Sequence, residues 1–375
     1  MNNSYQEGAN MQATKKPLSL VLILLVSIMV SSCKSQKAEW KGTVEEVDGV
    51  TVVKNTKEPM YREEVFSLEE ELSIGAAEGA EEYLFLNAYE VAVDNRERIF
   101  ISDLRGVHIK VFDKFGNYIT TIGRKGQGPG EFGQVTNIQI TPRDELMVHD
   151  RYTRRLSYFS LDGDFLRTEQ LKEIQALMVK VNSKGNYFVR TMDFEAPTYR
   201  AAIELKLYGP DLSFIGMIAK DKFWSAKVPL QPRLTSKLLS SDSIVCGFPE
   251  TYEFQILDPE GKIIRKISRN HVPVEISEEE KALRHLPQSN ELPRYFPAFQ
   301  DFSVDEEGRI YAQTFERQAD GNKFYYDVFG SDGKYICKVR LNAFPQYWKN
   351  KKMYTIEEDK SGFQYVKRYK VIWKI

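Results

Sequence analysis

Residues 121–132, TIGRKGQGPGEF, set four glycines beside an arginine and a lysine, the residue types from which a phosphate cradle is built. Such a cradle needs a strand before the glycines, a helix N-terminus after them, and Lys with Ser or Thr at fixed offsets. Here the glycines are followed by GQVTNIQIT, in which Val135, Ile138 and Ile140 fall in the alternation of a short strand. No Gly-Lys-Ser/Thr follows, and a dinucleotide fingerprint fails on the same absent helix. The stretch reads as a loop between two strands. Elsewhere no serine sits in a Gly-x-Ser-x-Gly elbow, and no pair of carboxylates stands out for acid and base work.

The N-terminus is set apart from the folded part. Residues 18–30, LSLVLILLVSIMV, are apolar, follow Lys15 and Lys16, and lead into Ser31, Ser32 and Cys33. The run is too short for a comfortable transmembrane helix. It resembles a bacterial lipoprotein signal with its lipobox, which implies removal of residues 1–32 and lipid on Cys33. Lys34 stands where an inner-membrane retention signal usually has Asp, so the resemblance points to the outer membrane of a bacterial envelope. Residues 34–47 then read as a tether and 48–375 as the folded domain. With Cys33 taken by lipid, Cys246 and Cys337 sit in the apolar runs SIVCGF and YICKV, as buried free thiols do; two cysteines do not make a disulfide scaffold. The 375 residues carry 52 Lys and Arg against 53 Asp and Glu, which gives no footprint for nucleic acid.

Internal repetition is the strongest signal. VAVDNRERIFISDLRGVHIKVFDKFGNYITTIG, residues 91–123, reads as a four-stranded meander whose second strand closes on Asp103. Residues 138–171 repeat it element by element, with Asp150 in place of Asp103. Looser copies follow, and five hairpin turns align as FDKFGNY, SLDGDF, GPDLSF, DPEGKI and GSDGKY. Asp and Gly recur because tight antiparallel turns require positive φ. The sixth copy is split: residues 353–375 supply a first and second strand, and the missing third and fourth are expected in DGVTVVKNT, from Asp48, and EEVFSLEEELSIG, from Glu63. Joining N-terminal to C-terminal strands closes a ring without open edges. The expectation is an all-β, six-bladed β-propeller of four-stranded antiparallel blades.

In that frame the glycine stretch links the outermost strand of one blade to the innermost strand of the next, and Phe132 plugs between blades. The sequence here resembles the NHL-repeat-like propellers, whose repeats carry G-x-G-x-G-P-G-E-F before the inner strand and Asp after the second. The full motif occurs once, at residues 123–132, with an echo at Gly75. The motif speaks to fold and hardly to function.

Function must come from the funnel rim. The inter-blade corners and the loops after the second strands share one face, which gathers Asp103, Arg105, Arg124, Lys125, Gln127, Asp150, Arg151, Tyr152, Arg190 and Thr191. Arg forks match carboxylates and aromatic rings stack on sugars, so this set suits an anionic or sugar ligand. The competing reading has Asp103 and Asp150 accepting main-chain N–H bonds within their own blades. Two long connections, residues 223–237 and 278–299, lie toward the same rim and are read either as lids or as packing over the inter-blade groove.

The expectation is a lipid-anchored, noncatalytic module binding a protein, peptide or glycan at the rim, with no cofactor. The alternative is a metal-dependent hydrolase or lactonase, since some propellers of this shape collect His, Asn, Asp and Glu around an axial ion such as calcium. Of His108, His149, His271 and His285, only His149 stands at a strand end where it could line the funnel.

Overall fold

The computed structural model describes residues 39–375 apart from 173, 199, 226–228, 287–291 and 319–322. The signal segment, Cys33 and most of the expected tether lie outside the described residues. Residues 40–375 form a single compact unit.

Six blades, each built on four antiparallel strands, follow one another along the chain, two of them widened by additional strands. Blade I comprises Ala88–Val93, Ile99–Asp103, His108–Phe112 and Tyr118–Ile122, and blade II Val135–Ile140, Glu145–Asp150, Arg155–Ser160 and Phe165–Gln170. Blade III comprises Ala176–Val181, Tyr187–Glu195, Arg200–Tyr208 and Phe214–Lys220, and blade IV Thr235–Leu238, Ile244–Phe248, Glu253–Leu257 and Ile263–Arg269. Blade V comprises Phe302–Val304, Ile310–Arg317, Phe324–Phe329 and Tyr335–Arg340. Blade VI takes Pro345–Lys349, Lys352–Glu358 and Gln364–Trp373 from the C-terminal end and Phe66–Ile74 from the N-terminal end, which closes the ring.

The strand sequences match their depth. Second and third strands are buried on both faces, as in Ile99–Asp103 and Arg155–Ser160, because blades pack against both sides of each sheet. Outermost strands such as Tyr118–Ile122 and Phe165–Gln170 are largely exposed. First strands of neighbouring blades touch, which sets them around the axis. Six apolar clusters alternate with the six sheets, each built from two adjacent blades. Between I and II it gathers Phe100, Ile109, Phe132 and Val148. Between IV and V it gathers Val53, Phe254, Phe302 and Tyr335.

Two expectations at the ring closure are corrected. The closing blade holds three C-terminal strands and one N-terminal strand, because Pro345–Lys349 supplies the innermost strand and shifts residues 353–375 outward by one place. Residues 48–56 are therefore not in blade VI. Val50–Asn55 instead runs parallel to the outermost strand of blade IV, from Thr51 against Arg265 to Asn55 against Arg269. Its position is held by burial of Val53 and by Asn55, whose amide donates to the carbonyls of Ser268 and Gly333 and accepts from the Tyr335 N–H. Thr43–Val47, read as the end of a tether, is an exposed strand paired to Val50–Asn55. Cys246 and Cys337 are free and buried as expected, and burial pushes both thiols up to about 12.

Candidate functional site

The glycine corner is a structural device. Gly123, at φ 74°, lies so close to the Phe132 ring that a Cβ would collide with it, and Phe132 is fully buried between blades I and II. Arg124 and Lys125 pair in parallel with Glu131 and Phe132. Glu131 holds the loop from within, accepting from the N–H groups of Gln127 (3.1 Å) and Gly128 (3.0 Å) and from Arg124 (2.9 Å). Arg155 donates to the carbonyls of Gln127 and Glu131.

Asp103 and Asp150 are likewise engaged by main chain. Asp103 accepts from the N–H groups of Leu86, Asn87 and Gly106 at 2.8–3.0 Å. Asp150 accepts from Gly133 (2.6 Å), Gln134, Tyr152 and Thr153. Both carboxylates are fully buried and tie the corner leading into their blade to the turn leaving the second strand. They have no face left for a ligand. Arg105, Lys125, Arg151 and Tyr152 are exposed on the rim, and Thr191 is buried. Among the described residues, the Tyr152 N–H to Asp150 bond is main chain to side chain, and no side chain–side chain hydrogen bond or ion pair joins any two of the rim candidates.

Arg190 behaves differently. It stands in the second strand of blade III, opposite Met178 of the innermost strand. Burial pushes its guanidinium below the ordinary arginine value, and the opposing influences come from Asp301 and Tyr89. Tyr89 belongs to blade I and Asp301 immediately precedes blade V, so groups from alternate blades of the ring act on this guanidinium. Among the described residues, no hydrogen bond or ion pair engages it. The side chain is partly reachable by water yet surrounded by protein, as a group lining a channel is.

A β-bulge prepares this mouth. The innermost strands of blades I, II, III and VI each slip register at the same point, and the extra residues are Tyr89, Thr136, Leu177 and Gln346. Tyr89 is half exposed there. Asp301 lies 3.9 Å from Lys237, which ties it into the same mouth. The bulge residues, Asp301 and Lys237 were missed by sequence reasoning, which followed the loops after the second strands; the bulges leave no mark in an alternating pattern until the register is known.

Below the mouth the channel wall is closed by charge pairing. Glu90 of blade I accepts from Asn137 of blade II at 2.8 Å and from the Lys180 ammonium of blade III at 3.0 Å. A cation at this level would meet that ammonium, so the residues here do not suit axial calcium. Among the described residues, no three His, Cys, Asp or Glu side chains converge as metal ligands. His149 is buried in the second strand of blade II, 3.3 Å from the Thr136 hydroxyl, and burial pushes its imidazole down to about 4.

Both long connections pack on the ring where they are described. Ser277 caps the helix Glu278–Leu283 by accepting from the Glu280 N–H. Phe296 stacks on Phe315 of blade V at 4.3 Å, and Leu230 of the earlier connection packs on the same cluster. Arg284 lies over Phe296 and Phe315 and pairs with Glu280. This is packing over the groove beside the funnel, with Tyr295 left 41% exposed at its margin.

A family model described as a 6-bladed beta-propeller, DUF5128, matches residues 76–205, from the corner before blade I into the third strand of blade III. Among solved structures, a candidate exported protein of Bacteroides fragilis aligns with a TM-score of 0.58 at 12% identity, covering 86% of this chain and all of its own. A member of the DUF4221 family from Bacteroides vulgatus aligns at 0.52 and 12% identity, covering 82% of this chain and 99% of its own. Virginiamycin B lyase from Staphylococcus aureus aligns at 0.44 and 10%, covering 81% and 99%. No curated protein matches the chain. Likeness at this identity is likeness of fold.

Proposed function

We propose that the protein is a noncatalytic binding module of the bacterial envelope that captures an anionic group of a protein, peptide or glycan at the funnel mouth, with Arg190 as the anchoring cation. The observation that carries this reading is the largely desolvated Arg190 guanidinium, acted on by groups of alternate blades and without a hydrogen-bonded partner among the described residues. A desolvated charge whose nearest counter-charge, Asp301, makes no hydrogen bond to it is costly, and a carboxylate-bearing ligand would supply the missing bidentate partner. Tyr89 offers an aromatic face beside it, and the exposed Arg105, Lys125, Arg151 and Tyr152 would extend the contact outward. The fold likeness to a candidate exported protein and the lipobox-like Cys33 support placement outside the cytoplasm, with lipid on Cys33 as the membrane link.

The test is a pull-down from envelope extract and a panel of acidic peptides and acidic oligosaccharides against wild type, Arg190→Ala and the double variant Arg124→Ala with Arg151→Ala. Loss of at least tenfold in affinity for Arg190→Ala in a folded protein is expected, with a smaller loss for the rim double variant. Undiminished binding by folded Arg190→Ala would sink the funnel assignment. The anchor is tested separately: Cys33→Ala should abolish lipid labelling and membrane fractionation.

A further inference from the structure

The face opposite the funnel mouth carries a cavity of about 370 Å³ at the seam between blades V and VI. Its position follows from the connectivity. The turn between first and second strands of each blade lies at the end remote from the Asp103 and Asp150 corners, and the cavity is bordered by two such turns, Asp305–Arg309 of blade V and Asn350–Lys351 of blade VI. Its volume is in the lower part of the range of small-molecule sites.

The walls are aromatic and aliphatic. Trp348 stacks on Tyr311 at 4.4 Å and is fixed by its indole N–H, which donates to Ser303 at 2.6 Å. Trp373 packs edge-on against Phe66 at 5.0 Å, and Val371 and Ile372 continue the apolar side. Two rigid indoles held from behind make a preformed slot for a flat or ring-shaped body.

The charges around the slot are nearly all spoken for. Arg309 pairs with Asp305 at 3.0 Å and Glu307 at 3.2 Å while covering Trp373. Lys352 pairs with Glu97 at 2.9 Å, outside the cavity. Lys370 lies 3.6 Å from Glu69. Glu306 accepts the main-chain N–H of Lys351. Among the described residues, the Lys351 ammonium is the one lining cation with no carboxylate partner. It projects from a two-residue hairpin in which Asn350 and Lys351 have φ of 53° and 57°, a tight turn that fixes the origin of the side chain.

We infer that this cavity binds a small amphipathic carboxylic acid, with one ring-sized apolar body between Trp348 and Trp373 and its carboxylate on Lys351. The site is separate from the funnel, and neither depends on the other.

The probe pair is 3-phenylpropionate and its isosteric amide, 3-phenylpropanamide, titrated at pH 7.5 into the purified protein by calorimetry. Intrinsic fluorescence is followed in a Trp40→Phe, Trp224→Phe background, so that the signal comes from the two cavity indoles. The acid is expected to bind saturably and at least fivefold more tightly than the amide. Lys351→Gln should abolish that preference, Lys351→Arg should keep it, and Arg190→Ala should leave it unchanged, which separates this site from the funnel. Equal binding of acid and amide, a preference that survives Lys351→Gln, or no saturable change at either indole overturns the assignment. Loss of the preference in Arg190→Ala also overturns it, by moving the acid to the funnel.

Discussion

Asp103 and Asp150 close the corners of blades I and II with a bare carboxylate set against main-chain amides, whereas at the seam of blades IV and V the corresponding closure is a cluster of side chains. There Arg269 pairs with Asp327 at 2.7 Å, and the same carboxylate takes the hydroxyls of Tyr252 and Tyr335 (the latter at 2.7 Å). Arg269 also lies over the Tyr335 ring. The second-strand position that holds Asp in the first two blades holds Phe248 in blade IV and Thr314 in blade V. The amide-bound acid needs only its own blade, so it repeats. The cluster draws on two adjacent blades, so the repeat alone does not place it; a related one, Arg167, Glu169, Tyr158 and Tyr187, sits at the seam of blades II and III. In both regions burial of a charge is tolerated because each carboxylate oxygen has at least one hydrogen-bond donor, whereas the Arg190 guanidinium has no hydrogen-bonded acceptor among the described residues.

The sharpest way to test this contrast is to remove the acid on each side. Asp327→Ala strands a buried guanidinium and two phenols, and a loss of about 3–5 kcal/mol in unfolding free energy is expected by chemical denaturation. Asp150→Ala deprives four amides of their acceptor near the rim, where water can replace part of it; a loss of about 2–3 kcal/mol is expected. If the two losses were equal, the seam would owe nothing to its extra desolvation. Asp327→Asn, which keeps the shape and halves the problem, should fall between wild type and Asp327→Ala.

The same contrast explains what could be read from the chain beforehand. Asp103, Asp150, Phe132 and the Asp-Gly turns are encoded within a single repeat, so their spacing exposes both fold and role, and the amide-acceptor reading of the two acids was available from position alone. Arg190 was singled out with them for its place after a second strand, but it lies within that strand, and its surroundings depend on Tyr89 and Asp301 arriving from other blades. The cavity lined by Trp348, Trp373 and Lys351 was not legible: its walls come from the seam where residue 345 rather than residue 353 begins the last blade. An edge strand such as Val50–Asn55 was assigned to the wrong blade because alternation does not name the partner, and a parallel neighbour is set by Asn55 and Val53 contacts that only the packed ring reveals.

Acid separates the blades further. His149 is neutral in the fold at about 4, against an ordinary value of 6.5, so between those pH values the unfolded chain binds more protons than the folded one. Stability is therefore complete above pH 6.5 and falls as pH drops toward 4, by about 2 kcal/mol at pH 5. His149→Gln should flatten that slope when urea midpoints are compared at pH 7 and pH 5. An unchanged slope would place the acid sensitivity elsewhere than blade II.

The smallest effect on stability is expected where the charge is unmatched. Arg190→Met keeps most of the side-chain volume and removes a desolvated guanidinium that Asp301 influences only at a distance and no carboxylate hydrogen-bonds among the described residues, so unfolding free energy should be unchanged or rise by up to about 1 kcal/mol. Asp327→Ala and Arg190→Met thus move stability in opposite directions although one deletes a fully buried charge and the other a half-buried one, because the first charge is completed by the protein and the second is left for a ligand. A loss of several kcal/mol in Arg190→Met would mean that the fold itself satisfies the guanidinium, and the case for an anion at the funnel mouth would go with it.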